Sequence, residues 1–381
     1  MLDDLMYYAD RRARLVEKLL PQMKRYRFSL RKLDEASIGK FTAQYVTHAI
    51  FRKKGLIHQY LDHSYCRNLS NEHRSYLEFC ADHPWRYSFS VIKKSPEPDF
   101  FEMEDVFTGE SFLLYSPGTQ DTLQDYLGQL WFNLINFNGL CWQTFGPICG
   151  FTSFFDYDIQ YYTSLLNQDK WHLEVSDITD YIEKNPLPYF LLSIGSTLPL
   201  ATSQGELLIN NIAEYDFEGF EWEKLGSKFQ VERKAQIIKF QLKHWDNLPH
   251  FAMGYYDLSK SLLRLSALTD KGFRQLILQL NKLGNDLAFD ADYRVGMTMA
   301  SIAHQILRKD LTKDPYEHLF RTPTTPKQDE TIDRINHFMD LLVPLINDRK
   351  AIDVKDLAER TGLDLKVAKE IAADLQKKLG L

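Results

Sequence analysis

The stretch WRYSFSVIKKSPEPDFFEMEDVFTGESFLLYSPG, residues 85–118, decides the fold class. WRYSFSVI alternates polar and apolar side chains, the period of a strand with one face buried. FFEMEDVF reads as a second strand, Thr108-Gly109 as a turn, and SFLLY as a third strand closed by Pro117-Gly118. Strands therefore begin at Pro84.

Everything before that point reads as helix. Leu5, Tyr8, Leu15, Leu19 and Met23 recur at intervals of three, four and seven with bases between them. Pro21 predicts an end or a kink there. A second helix is expected from a Ser37 cap to a stop at Gly55, and a third from Ser70 to the residue before Pro84.

Beyond residue 118, Leu123, Leu127, Leu130 and Leu134 return to helical spacing and predict a helix. LCWQTFGPICGFTSFF reads as a strand bent at Gly146-Pro147. Short helices are expected over 158–168 and 176–184, the second from a Ser-x-x-Thr/Asp cap. PYFLLSIGS and GELLINNIAEYDF predict a hairpin, and residues 223–245 a long amphipathic helix. HFAMGYYD and LLRLSALT form another hairpin about LSKS, followed by a helix over 271–283 and a strand over 291–299 that runs into helix. Leu187-Pro-Tyr-Phe and Leu248-Pro-His-Phe echo one another, each before a Thr-x-x-Gly. Recurrence of turn chemistry explains the echo as readily as duplication does. Neighbouring strands on short connections favour an α+β, mainly antiparallel, fold over a doubly wound parallel sheet.

Residues 309–330 carry three prolines, two of them in Thr-Pro steps, and little apolar period, and read as a linker. The expected organisation is a helical region (1–83), an α+β body (84–308), that linker, and a three-helix C-terminal unit (331–381). Within that unit, Ala358 stands where two helices would cross and Gly362 at the turn. Leu363 follows, and Ala368 and Ile371 lie on the inner face. On these residues 352–379 resemble the helix-turn-helix family. The resemblance implies a second helix that presents Asp364, Lys366, Lys369, Glu370 and Asp374 to a partner. Acids among them oppose the phosphate term of DNA affinity.

The chain has 381 residues, 44% of them hydrophobic and 13% aromatic, enough for a sizeable core. The N-terminal pattern is not that of a secretory signal, and residues 187–201 are too short and too interrupted to cross a bilayer. Cys66, Cys80, Cys141 and Cys149 are too few for a disulfide scaffold. A cytoplasmic, reduced protein without a membrane span is expected.

Charge is uneven. Residues 1–54 hold 13 bases and 6 acids, whereas 97–125 hold eight acids and no base. Arg11, Arg12, Arg14, Lys24, Arg25, Arg27, Arg31 and Lys32, with Tyr26 and Phe28 among them, are the candidates for an anionic partner. The plainer reading is a solvated face that packs on the molecule's own acidic segment.

His63, Cys66, Cys80 and His83 form an H-x2-C…C-x2-H pattern of zinc-ligand types, although buried thiols on a helical stripe read as core. Asp156-Tyr-Asp158 reads as a strand-to-helix junction with Asp158 as cap, or as paired carboxylates for metal or acid–base work. Glu102, Glu104 and Asp105 have no base or histidine close by in sequence. No G-x-S-x-G, Walker A, G-x-G-x-x-G, C-x-x-C or H-E-x-x-H occurs. The expectation is a non-enzymatic protein that binds another macromolecule, another protein before nucleic acid, with no cofactor and no assigned catalytic or metal residue. Two alternatives stand beside it: an enzyme with an aromatic-lined cleft between the N-terminal helices and the sheets, and a nucleic-acid regulator that uses the basic N-terminus or the tail.

Overall fold

A computed structural model describes residues 1–117, 127–167, 173–308, 315–320 and 352–379, and parts of 334–345. The chain divides into two units, 1–313 and 314–381. The larger is an α+β fold. Helices α1 (Leu2–Ala13), α2 (Leu15–Arg25), α3 (Glu35–Phe51) and α4 (Asn71–Asp82) precede strands β1 (Arg86–Glu97), β2 (Phe100–Asp105) and β3 (Ser111–Tyr115), as the sequence pattern predicts.

Pro21 neither ends nor kinks a helix at its own position. The break lies earlier, at Arg14, which adopts φ 52°. There the Asp10 carboxylate accepts the Val16 amide at 2.8 Å and caps the next helix. Pro21 and Glu17 both lie on the exposed side of α2, where the helix bond that proline cannot make is most readily lost. Helix α3 starts from Asp34, whose carboxylate accepts the Ser37 amide at 2.7 Å, so the cap lies three residues before the Ser37 cap that the sequence predicts. Ser70 caps α4 as predicted, accepting from the His73 amide at 3.3 Å.

Strands β1, β2, β3, β5 (Trp142–Phe151) and β4 (Leu130–Phe137) close into a barrel in the order β1-β2-β3-β5-β4. Only β3 and β5 are parallel. The helix expected over 121–137 is thus corrected, because 130–137 is a strand and 118–126 lie outside the described residues. Seven of its eight residues are buried. Trp131 and Ile135 point into the barrel with Phe101, Met103 and Phe112, while Phe132 and Leu134 join the core shared with the helices. A strand buried on both faces loses its alternation, and its apolar run is then indistinguishable from a buried helix. Inside the barrel, Trp131 lies across Gly150, where a Cβ would stand 2.5 Å from the ring.

Helices α5 (Asp156–Leu166), α6 (Val175–Lys184), α7 (Pro186–Leu191) and α9 (Met297–Leu307) complete the main core with the N-terminal helices and the outer barrel face. The strand that the sequence predicts over 188–196 is corrected, because 186–191 are helical and 192–195 a 3-10 turn. The helix has all six side chains buried, so no period survives to mark it. The two echoing stretches also differ in structure, Leu187 lying in that helix and Leu248 in a loop, which counts against duplication.

The second sheet runs β13-β8-β12-β11-β10-β9. Its members are β8 (Ile209–Asp216), β9 (Phe229–Lys234), β10 (Ile237–Leu242), β11 (Met253–Asp257), β12 (Leu262–Ala267) and β13 (Tyr293–Gly296). Helix α8 (Asp270–Asn281) covers one face. A short pair, β6 (Thr202–Ser203) and β7 (Glu206–Leu207), precedes it. Residues 223–245, expected as one helix, contain the β9–β10 hairpin. The turn places Ala235 at φ 51°. Five of the six residues of the edge strand β9 are exposed, so charges appear on both of its faces and imitate a helical pattern.

In the smaller unit, helices Val354–Thr361 and Leu365–Leu379 flank Gly362, at φ 66°, with Ala358, Leu363 and Ala368 buried. Asp353 caps the first, accepting from Asp356 N at 3.1 Å.

Candidate functional site

Packing places the basic N-terminal residues in separate groups. On α1, Arg11 and Arg12 reach the hydroxyls of Tyr7 and Tyr8 at 3.3 and 3.1 Å. Arg14 pairs with Glu17 at 3.7 Å. Lys24 is exposed. Arg25 lies over the Tyr26 ring, 5.4 Å from its centroid.

The group that converges surrounds Phe28, on the helical turn Arg27–Leu30. Arg27 lies 4.7 Å from its ring centroid, Arg31 5.7 Å and Arg308 4.1 Å. Lys32 stands beside them and donates to the Gln305 side-chain oxygen at 2.6 Å. Phe28 nevertheless stays 41% exposed. Among the described residues, none of these four cations has an ion-pair partner. Two effects let like charges gather here. The ring quadrupole attracts each guanidinium. Helix α9 also ends at Arg308, and the negative end of its dipole favours cations.

The acidic segment does not neutralise this surface. Four of its six described carboxylates are met by bases of β1, the strand register bringing Lys94 to Glu102 at 2.9 Å and Lys93 to Glu104 at 3.1 Å. Arg86 reaches Glu110 at 2.7 Å and Asp105 at 3.4 Å. The reading in which the N-terminal bases pack on the acidic segment is therefore corrected for the described residues. Glu102, Glu104 and Asp105 also have bases after all, one strand away.

The four zinc-type residues stay separate. Cys66 and Cys80 are buried in the main core, and burial raises both thiols above their ordinary pKa. His63 Nδ1 meets the Tyr8 hydroxyl at 3.1 Å, and His83 Nδ1 meets the Phe79 carbonyl at 3.0 Å. Among the described residues, no group of three His, Cys, Asp or Glu is placed to hold an ion.

Asp158 is not the cap of its helix. It is the third residue of α5 and reaches back to the Phe155 amide at 2.9 Å, while its other oxygen takes the Gly296 amide of β13 at 2.7 Å. Burial raises its pKa to about 7, with the two amide bonds opposing that rise only in part.

Sequence reasoning missed Arg308, which stands nearly 300 residues from Phe28 and at the edge of the expected linker. It also missed a pair that ties α3 to α6: buried His48 Nε2 meets a carboxylate oxygen of half-buried Glu183, whose partner oxygen accepts the Tyr87 amide at 2.7 Å. No spacing rule links residues so far apart. Where a cleft between the N-terminal helices and the sheets was the alternative, the aromatic rings are packed core instead. Phe41 stacks on Phe190 at 4.5 Å and Phe51 on Trp85 at 4.8 Å.

No described helix is long and apolar enough to cross a membrane. Comparison with protein-family models, curated proteins and solved structures finds no significant match to the chain.

Proposed function

We propose that this chain is a non-enzymatic binding protein whose Phe28 surface docks a carboxylate-bearing segment of another protein. The observation that carries the reading is the convergence of Arg27, Arg31 and Arg308 on one exposed ring without acids to neutralise them. A guanidinium held by the field of a ring and not by an ion pair keeps N–H groups that match a carboxylate in bidentate fashion. Three guanidiniums within 5.7 Å of the Phe28 centroid also crowd the platform that a nucleobase would use. The chain's net charge of −6 also opposes a long polyanion. On the C-terminal unit, exposed Asp364 and Glu370 balance Lys366 and Lys369, so that unit suits protein docking better than phosphate contact.

The test titrates the full chain with a labelled glutamate-rich peptide and, separately, with a single-stranded oligonucleotide of equal charge, at two salt concentrations. The peptide is expected to bind more tightly. The triple variant Arg27→Gln, Arg31→Gln, Arg308→Gln is expected to weaken peptide binding at least tenfold, since charge-assisted hydrogen bonds contribute about 1.5–3 kcal/mol each. Tighter oligonucleotide binding, or peptide binding that the triple variant leaves intact, overturns the reading.

A further inference from the structure

A cleft of about 490 Å³ that none of the Phe28-surface residues lines lies among the first turns of α8, strands β8 and β13, and residues 289–291. That volume is in the range of small-molecule sites. Its charged side chains are of two kinds. Arg294 donates to Asp270 at 2.8 Å and lies 4.6 Å from the Tyr157 ring centroid. Lys271 reaches Glu206 at 3.4 Å. These two cations are already neutralised by the protein. Arg274 and Asp290, both exposed in the same cleft, have no ion-pair partner among the described residues.

Two further lining groups define what an occupant must offer. Asn211 is 2% exposed, and its Nδ2 donates to the Ile209 carbonyl at 3.0 Å. A carbonyl can only accept, so this bond fixes the orientation of the amide and leaves Oδ1 as an acceptor without a described donor. Phe289 is 47% exposed and supplies an apolar wall. The cleft thus holds one uncommitted cation, one uncommitted anion, one amide oxygen still free to accept, and one open ring.

We propose that this cleft binds a small zwitterion of the α-amino acid or dipeptide class that carries an aromatic or large apolar side chain. Arg274 takes the carboxylate. Asp290 and Asn211 Oδ1 take the ammonium, and the side chain lies on Phe289. A phosphorylated nucleotide fits less well, because Asp290 would repel its phosphate while two of the three cations are held by protein carboxylates. A simple amine would leave Arg274 unmatched.

Isothermal titration of the full chain with phenylalanine, alanyl-phenylalanine, 3-phenylpropionate, phenethylamine and AMP tests this. At least one of the two zwitterions is expected to bind. Each analogue that lacks one charge is expected to bind at least tenfold more weakly, and AMP more weakly still. Arg274→Gln and Asp290→Asn are each expected to weaken zwitterion binding at least tenfold with an unchanged melting temperature, since both residues are exposed. Absence of heat with both zwitterions at 10 mM on the order of weak-site affinity, equal binding of either analogue, or tighter binding of AMP overturns the proposal. None of these results bears on the Phe28 surface.

Discussion

Raising the pH from 5 to 8 is expected to weaken the fold through Asp158, the opposite of what a paired carboxylate does. Its side chain is fully buried and its pKa is raised to about 7 by burial. In the unfolded chain an aspartate titrates near ~3.9. Between those values the native state holds a proton that the unfolded state has released, so stability falls as pH rises through the window. The full shift of about three units corresponds to roughly 4 kcal/mol at ~1.4 kcal/mol per unit. On the order of 3 kcal/mol of that falls between pH 5 and 8 by the linkage relation. Urea denaturation of the parent chain and of Asp158→Ala at both pH values, at constant ionic strength, isolates this group. The variant leaves the Gly296 and Phe155 amides without their acceptor, a loss of about 1–3 kcal/mol each at pH 5. At pH 8 it also removes a buried charge, so the gap between the two proteins is expected to narrow by on the order of 3 kcal/mol. A gap that widens with pH refutes the reasoning, as does a carboxyl carbon that titrates near ~4 by NMR.

Replacement of Gly150 by Ala is expected to destabilise the barrel by about 1–3 kcal/mol or more, because the added carbon meets the buried Trp131 ring at 2.5 Å. Thermal unfolding measures it, and Trp131→Leu in the same chain should recover part of the loss. Glu183→Ala is expected to lower stability by about 2–5 kcal/mol, since it strips both the His48 ring and the Tyr87 amide of their acceptor. A change below ~0.5 kcal/mol in a denaturant titration would show that water replaces the carboxylate. Limited proteolysis is expected to release a stable fragment close to 1–313, the larger of the two units, and cleavage spread evenly along the chain would count against that division. Elemental analysis of the purified chain is expected to find no stoichiometric zinc. One zinc per chain, lost on replacement of Cys66 and Cys80, would reverse the reading of those thiols as core.

What could be read along the chain divides from what could not by whether the two faces of an element differ in chemistry. Where an element buries one face only, its period survives in the sequence, and β2, β3, β12 and α8 stand close to where that period puts them. Strand β1 is buried on both faces over residues 87–90, and it stays legible because Ser88 and Ser90 alternate with Tyr87 and Phe89. The Ser70 cap on α4 was legible because its bond spans three residues, whereas at α3 and α5 a second polar residue within three positions left the cap ambiguous. Strand β4 and helix α7 were not legible, since burial all round erases the period that separates strand from helix. The edge strand β9 failed for the converse reason, being exposed on both faces. Sequence composition alone marked the N-terminal arginines as a charge excess in need of a partner. Only the tertiary structure decided that Arg27 and Arg31 meet Arg308 on Phe28, and that the acids of β2 are taken by β1 instead. Contacts between residues distant in sequence follow from how layers pack, and no local pattern encodes which layer a given side chain will meet.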